Sequence, residues 1–126
     1  MSKNKFGPDF LPISAIHYKT EYLFISIALI YLLYQQYAIG KLDITLLILF
    51  GVLPDLVFLP MLPFLKNKNW PSWGSKLYNL FHSLATFFII FTLSWITLGS
   101  IFWPLLGWAL HITIDRTVGY TLRNNS

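Results

Sequence analysis

Four side chains set in oily surroundings, Asp55, His82, His111 and Asp115, are of the types that do acid–base or metal chemistry. Carboxylate oxygen together with imidazole nitrogen suits Zn²⁺, Mn²⁺ or Fe²⁺, whereas Ca²⁺ takes oxygen donors alone. The chain has no cysteine, which excludes a thiolate nucleophile, a disulfide and a cysteine-built zinc site. Spacing organises part of the set. Gly107, His111, Asp115 and Gly119 recur every four residues and so form one stripe of a helix. On that stripe the imidazole and carboxylate can bind one ion together, or the carboxylate can orient the ring, while the glycines admit a neighbouring helix. Asn79, His82, Ser83 and Thr86 share a second face, where the small polar groups are expected to hydrogen-bond between helices. Pro54 stands before Asp55, and a proline within a helix leaves a carbonyl without its donor.

The elements that must hold these groups are unusually apolar. Of 126 residues, 56% are hydrophobic and 11% charged, and the mean hydropathy is +0.59. A soluble domain is about 25% charged, so soluble enzymes, nucleic-acid binders and disordered chains are excluded together. Four runs are nearly free of charge: 22–39, 44–65, 77–98 and 101–122. Crossing a hydrocarbon core of ~30 Å takes about 20 helical residues, and the runs show none of the alternation a membrane strand needs. The expected fold is all-α: one domain over 1–126, a four-helix transmembrane bundle with antiparallel spans. Gly40 is expected to end the first span and Asp43 to cap the second. The brevity of Gly99-Ser100 makes spans three and four neighbours, and Trp70 and Trp73 mark the middle connection as interfacial.

Orientation follows from the basic residues. Lys3, Lys5, Lys19, Lys66, Lys68, Lys76, Arg116 and Arg123 fall on one side of this layout and Lys41 alone on the other. The positive-inside bias then makes both termini cytoplasmic. The net charge of +4 is spread along a face that suits anionic membrane lipids rather than nucleic acid. His82 lies six residues past Lys76, about 9 Å deep. Asp115 lies seven before Leu122, about 10 Å deep. Pro60 and Pro63 are expected to end the second helix early and bring Asp55 to the same layer. The lead before residue 22, with Pro8 and Pro12 among Phe6, Phe10, Leu11, Ile13 and Ile16, reads as a retained, surface-lying segment rather than a cleaved signal.

Tyr78-Asn79-Leu80-Phe81-His82-Ser83, the run from His111-Ile112-Thr113-Ile114-Asp115-Arg116 through Thr117-Val118-Gly119-Tyr120, and Leu53-Pro54-Asp55-Leu56 together resemble the small integral-membrane family called domain of unknown function 4260. The resemblance covers nearly the whole chain; its fourth-helix ending Tyr-Gly-Leu stands here as Tyr120-Thr121-Leu122, with Thr121 in place of a glycine. It supports the layout and these motif positions and implies no activity. A remoter similarity is to the bacterial membrane-bound metal-dependent hydrolases, matched at Pro54-Asp55, His82-Ser83 and His111 with Asp115. Val57 and Leu77 stand where that family has a second acid and an earlier histidine, so the resemblance implies one metal rather than two.

The primary expectation is a four-helix integral membrane protein of the bacterial inner membrane with a cytoplasmic-side cluster of Asp55, His82, His111 and Asp115. Asn79, Ser83, Arg116 and Tyr120 are its supporting polar residues. The alternative is a membrane-bound hydrolase in which that cluster holds a single divalent metal, Zn, Mn or Fe, and acts on a lipid or lipid-linked phosphate or ester. Arg116 is expected either to hold an anionic headgroup or to snorkel to it. In the non-enzymatic reading, Asp115 pairs with Arg116 or His82 and Asp55 with His111, and the bundle is a carrier or accessory subunit. It would then assemble with itself or with a membrane partner.

Overall fold

Helices account for all the regular structure among the described residues, 15–63 and 70–123, of the computed structural model. Helix α1 is Ile16–Ala38, 23 residues and about 35 Å long. It begins ahead of the charge-free run and takes in His17, Lys19 and Glu21. Gly40 closes it at φ +76°, its N–H donating to the Tyr37 carbonyl. Helix α2, Ile44–Val52, opens on the Asp43 side chain, which accepts from the Leu46 N–H. Both ends thus follow the expected capping chemistry.

Beyond Val52 the winding tightens into a 3-10 turn, Leu53–Val57, before the short helix α3, Phe58–Met61. Pro54, with no N–H to return to the preceding turn, is the cause. The expected break at Pro60 and Pro63 therefore lies earlier, and Pro60 sits inside α3. The expected third span is divided. Helix α4, Ser72–Phe81, and helix α5, Leu84–Leu98, meet at a 51° bend. Ser83 takes extended backbone there and caps α5 by accepting from the Ala85 N–H. Helix α5 ends at Gly99, φ +75°.

The fourth expected span is also revised. Pro104 sets a 3-10 turn, Trp103–Leu105, and helix α6 is Leu106–Val118, 13 residues rather than 22. At about 20 Å it falls short of a hydrocarbon core. Two helical stretches, Ile16–Ala38 and Ile44–Met61, are long and apolar enough to cross a membrane, and the bent pair supplies a third if it acts as one span. This composition and length point to an integral membrane protein. The expected lead, Phe6 to Ile13, and the loop lysines Lys66 and Lys68 lie outside the described residues.

Helix α6 sits at the centre, packed chiefly on α1 and α2. It contributes Leu106, Trp108, Ala109 and Ile112 to the core, alongside Leu33 and Phe87. Ser26 of α1 donates to Thr113 of α6 at 2.8 Å, a buried cross-helix bond. Gly107 lets α2 approach. A Cβ there would stand 2.7 Å from the Leu47 carbonyl oxygen and 3.2 Å from the Gly51 nitrogen. Gly119, the other glycine of the stripe, ends α6 at φ +107° instead of seating a neighbouring helix. The outer surface carries large apolar side chains on α1, α2 and α5, among them Ile27, Ile30, Leu49, Phe88, Leu93 and Ile96. In water such a surface would aggregate; in lipid it is solvated.

Candidate metal centre

Two breaks and one regular helix bring the acid and imidazole groups to a single point. Asp55 comes from the 3-10 turn after α2, His82 from the bend between α4 and α5, and His111 and Asp115 from successive turns of α6. His111 Nε2 lies 3.2 Å from Asp55 Oδ1 and 3.3 Å from Asp115 Oδ2. His82 Nε2 lies 3.7 Å and 3.6 Å from the same two oxygens. Asp55, His82 and His111 offer ligand atoms all within 4.8 Å of one another, close enough to hold a metal ion. The histidine side chains are the enclosed part, at 4% and 16% exposure for His82 and His111, while that of Asp55 is 53% exposed. The centre is therefore walled by imidazole and open beside Asp55.

The other nitrogen of each ring decides the chemistry. His82 Nδ1 lies 2.9 Å from the Tyr78 carbonyl oxygen, and His111 Nδ1 lies 2.8 Å from that of Gly51. A carbonyl can only accept, so each Nδ1 carries the proton and donates. In the neutral rings, Nε2 is then a bare lone pair, and both Nε2 atoms are buried without a hydrogen-bond partner among the described residues. Two lone pairs confront two acceptor-only carboxylates. Such an arrangement calls for a hydrogen or a metal cation between them: a proton on ring or carboxyl, a bridging water, or an ion. The outer nitrogen held by a backbone carbonyl is also the usual support of a metal-binding histidine.

Distances bear on the choice. A protonated imidazole bound to a carboxylate closes to about 2.7–2.9 Å. Four donors placed tetrahedrally at ~2.0–2.1 Å from a Zn²⁺-like ion stand about 3.3–3.4 Å apart. The observed 3.2 to 3.7 Å bracket that edge and exceed the direct bond. Asp55, His82 and His111 form the compact set that can hold a cation, and Asp115 borders it from the side of the two imidazoles.

The supporting residues fall out differently. Arg116 is buried and donates from Nη2 to the His82 carbonyl at 2.9 Å, with its guanidinium 5.7 Å from the centre of the Tyr22 ring. It neither snorkels nor pairs with Asp115. It satisfies the carbonyl that the bend leaves open and thereby fixes His82. Asn79 points to the C-terminal backbone, donating to the Arg123 carbonyl and accepting from its N–H. Ser83 is a helix cap rather than a link between helices. The Tyr120 side chain is 66% exposed and its backbone N–H completes the end of α6 on the Asp115 carbonyl. Tyr78, which carried no expected role, is stacked on His82 with ring centres 3.9 Å apart and is buried. Its position four residues before His82, on the same helical face, was the signal for it.

An all-helical chain with membrane-length apolar helices and an Asp/His cluster defines the class. Within it, the chain belongs to the family described as Domain of unknown function (DUF4260), whose model matches residues 15–126. Comparison with curated proteins and with solved structures gave no match.

Proposed function

We propose that this chain is an integral membrane metalloprotein whose single divalent cation, Zn²⁺, Mn²⁺ or Fe²⁺, is held by Asp55, His82 and His111 with Asp115 as fourth donor. The observation that carries this reading is the pair of buried Nε2 lone pairs facing two carboxylates at 3.2 to 3.7 Å. Mixed nitrogen and oxygen donors select these metals over Ca²⁺. The open side at Asp55 gives a substrate access, the trait of catalytic rather than structural sites. The reaction we assign is hydrolysis of a phosphate or ester on a membrane lipid or lipid-linked compound. A divalent ion supplies Lewis acidity at the phosphoryl or ester oxygen.

The cationic groups support a cytoplasmic site. Lys19 reaches the end of α6, with Nζ 3.4 Å from where a Gly119 Cβ would stand, and Arg123 reaches Ser75 at the start of α4. These gather at the end of the molecule opposite Lys41, consistent with a positive-inside arrangement in a bacterial inner membrane. In that arrangement α1, the α2–α3 stretch and the bent pair cross the bilayer, and α6 enters it as a fourth, partial helix.

Metal analysis of the full chain purified in detergent without chelator tests the reading. Wild type is expected to carry a stoichiometric metal that His111→Ala and Asp55→Asn lose, and hydrolysis of lipid phosphate or ester in vesicles is expected to follow the metal. Folded wild-type protein with no stoichiometric metal would overturn it.

A further inference from the structure

The backbone that presents the site residues continues past the site on both sides. Leu47 and Gly51 share a face of α2 ahead of Asp55 in the 3-10 turn, and Gly107, His111 and Asp115 step by four along α6. Where the two glycines bring the backbones together, these faces floor an open cavity of about 230 Å³, lined by Leu47, Gly51, Gly107, Leu110, His111 and Ile114. A second cavity of about 270 Å³ shares Leu47 and Leu110 with the first and runs on between α1 and α2 to Tyr34 and Tyr37. Two adjoining hollows, together the trough, thus border Leu47 and Leu110. Its walls are mainly apolar, with the Tyr34 and Tyr37 rings at one end and His111, whose far nitrogen faces the carboxylates, at the other.

We propose that this trough holds the acyl chain of an anionic membrane lipid, with the lipid's phosphate directed to the metal centre; the inference rests on the metal reading above. Three features select that occupant. The trough opens sideways on the apolar exterior, where Ile114 and Ile48 are exposed, so a chain enters from the bilayer without crossing water. It borders the site at one end through His111, the one site residue in its lining, so an occupant that is apolar along its length and polar at its tip can set that tip beside the centre. The polar tip meets a cation and lies at the end of the molecule that bears Lys19 and Arg123, which favours a negative headgroup. An apolar chain without such a head would leave the centre's charge unanswered.

Photo-crosslinking decides it. The full chain is reconstituted in phosphatidylcholine vesicles doped with phosphatidic acid bearing a diazirine on its acyl chain, and adducts are mapped by mass spectrometry. Adducts are expected at Leu47, Leu110 and Ile114 in severalfold excess over the outward residues Ile89, Leu93 and Ile96 of α5, and unlabelled phosphatidic acid is expected to compete only the former. Leu110→Trp, which fills the trough, is expected to cut them about tenfold while metal content stays at wild type. Even labelling of trough and α5, or labelling that unlabelled phosphatidic acid does not compete, overturns the proposal. Because metal content is measured on the same samples, the two readings fail separately. Metal present with even labelling removes the acyl site alone, and preferential labelling without metal removes the centre but not the trough.

Discussion

Helices α5 and α6 run close in length, 15 and 13 residues, and differ in almost everything else. Helix α5 is a nearly unbroken apolar run, yet only Phe87 of it is buried. Helix α6 carries His111, Asp115 and Arg116, and seven of its residues are buried. In a water-soluble protein the assignments would be reversed. Here apolar character marks the side given to lipid, because lipid tails solvate Leu and Ile as well as a protein core does. The interior takes small and polar residues alongside Leu106, Trp108 and Ile112: Gly107 sets the helix spacing, and Thr113, His111 and Arg116 find their partners there.

That contrast breaks most visibly at Gly107. Gly107→Leu drives a side chain into the Leu47 carbonyl, and a loss of about 3 kcal/mol is expected in detergent unfolding. Gly51→Ala makes the control. A Cβ there meets nothing closer than the Gly107 carbonyl at 3.9 Å, and unchanged or slightly higher stability is expected. Equal effects at the two glycines would mean that α6 does not sit against α2 as described.

Arg116→Met keeps the stem but removes the donor to the His82 carbonyl. A loss of about 1–3 kcal/mol is expected from the stranded carbonyl. Metal titration of the same variant should show affinity weakened by about 10–100-fold, as when an outer partner of a ligand is lost. Stability lost with metal affinity intact would make Arg116 a packing residue only.

The smallest effect belongs to α5. Ile96 is 74% exposed, and Ile96→Ala is expected to change stability by less than about 0.5 kcal/mol. A loss near 2 kcal/mol, the range of core truncations, would show that α5 is covered by another protein surface rather than by lipid.

Much of this molecule is written in local chemistry. Asp43 and Gly40 do what capping rules require of them, and the four acid and imidazole residues meet where their depths along the helices put them. What escaped reading are breaks that hydropathy does not register. The bend at His82–Ser83 contains neither Pro nor Gly, so the 77–98 run looks continuous, although Ser83 before an apolar stretch is itself a helix-start signal. The 101–122 run has apolar ends, but Pro104 delays its helix and Gly119 stops it, leaving α6 short. The cluster is built at these irregularities: Asp55 on the Pro54 turn and His82 on the bend. Carbonyl partners such as Gly51 and Tyr78 were beyond reach because a backbone oxygen has no residue type to advertise it.

X-ray absorption at the metal edge of the purified full chain addresses the cation directly. A shell of nitrogen and oxygen at about 2.0–2.1 Å, with outer scattering from two imidazole rings that vanishes in the His82→Ala, His111→Ala double variant, is the predicted result. No metal edge, or a shell without imidazole, would contradict the account.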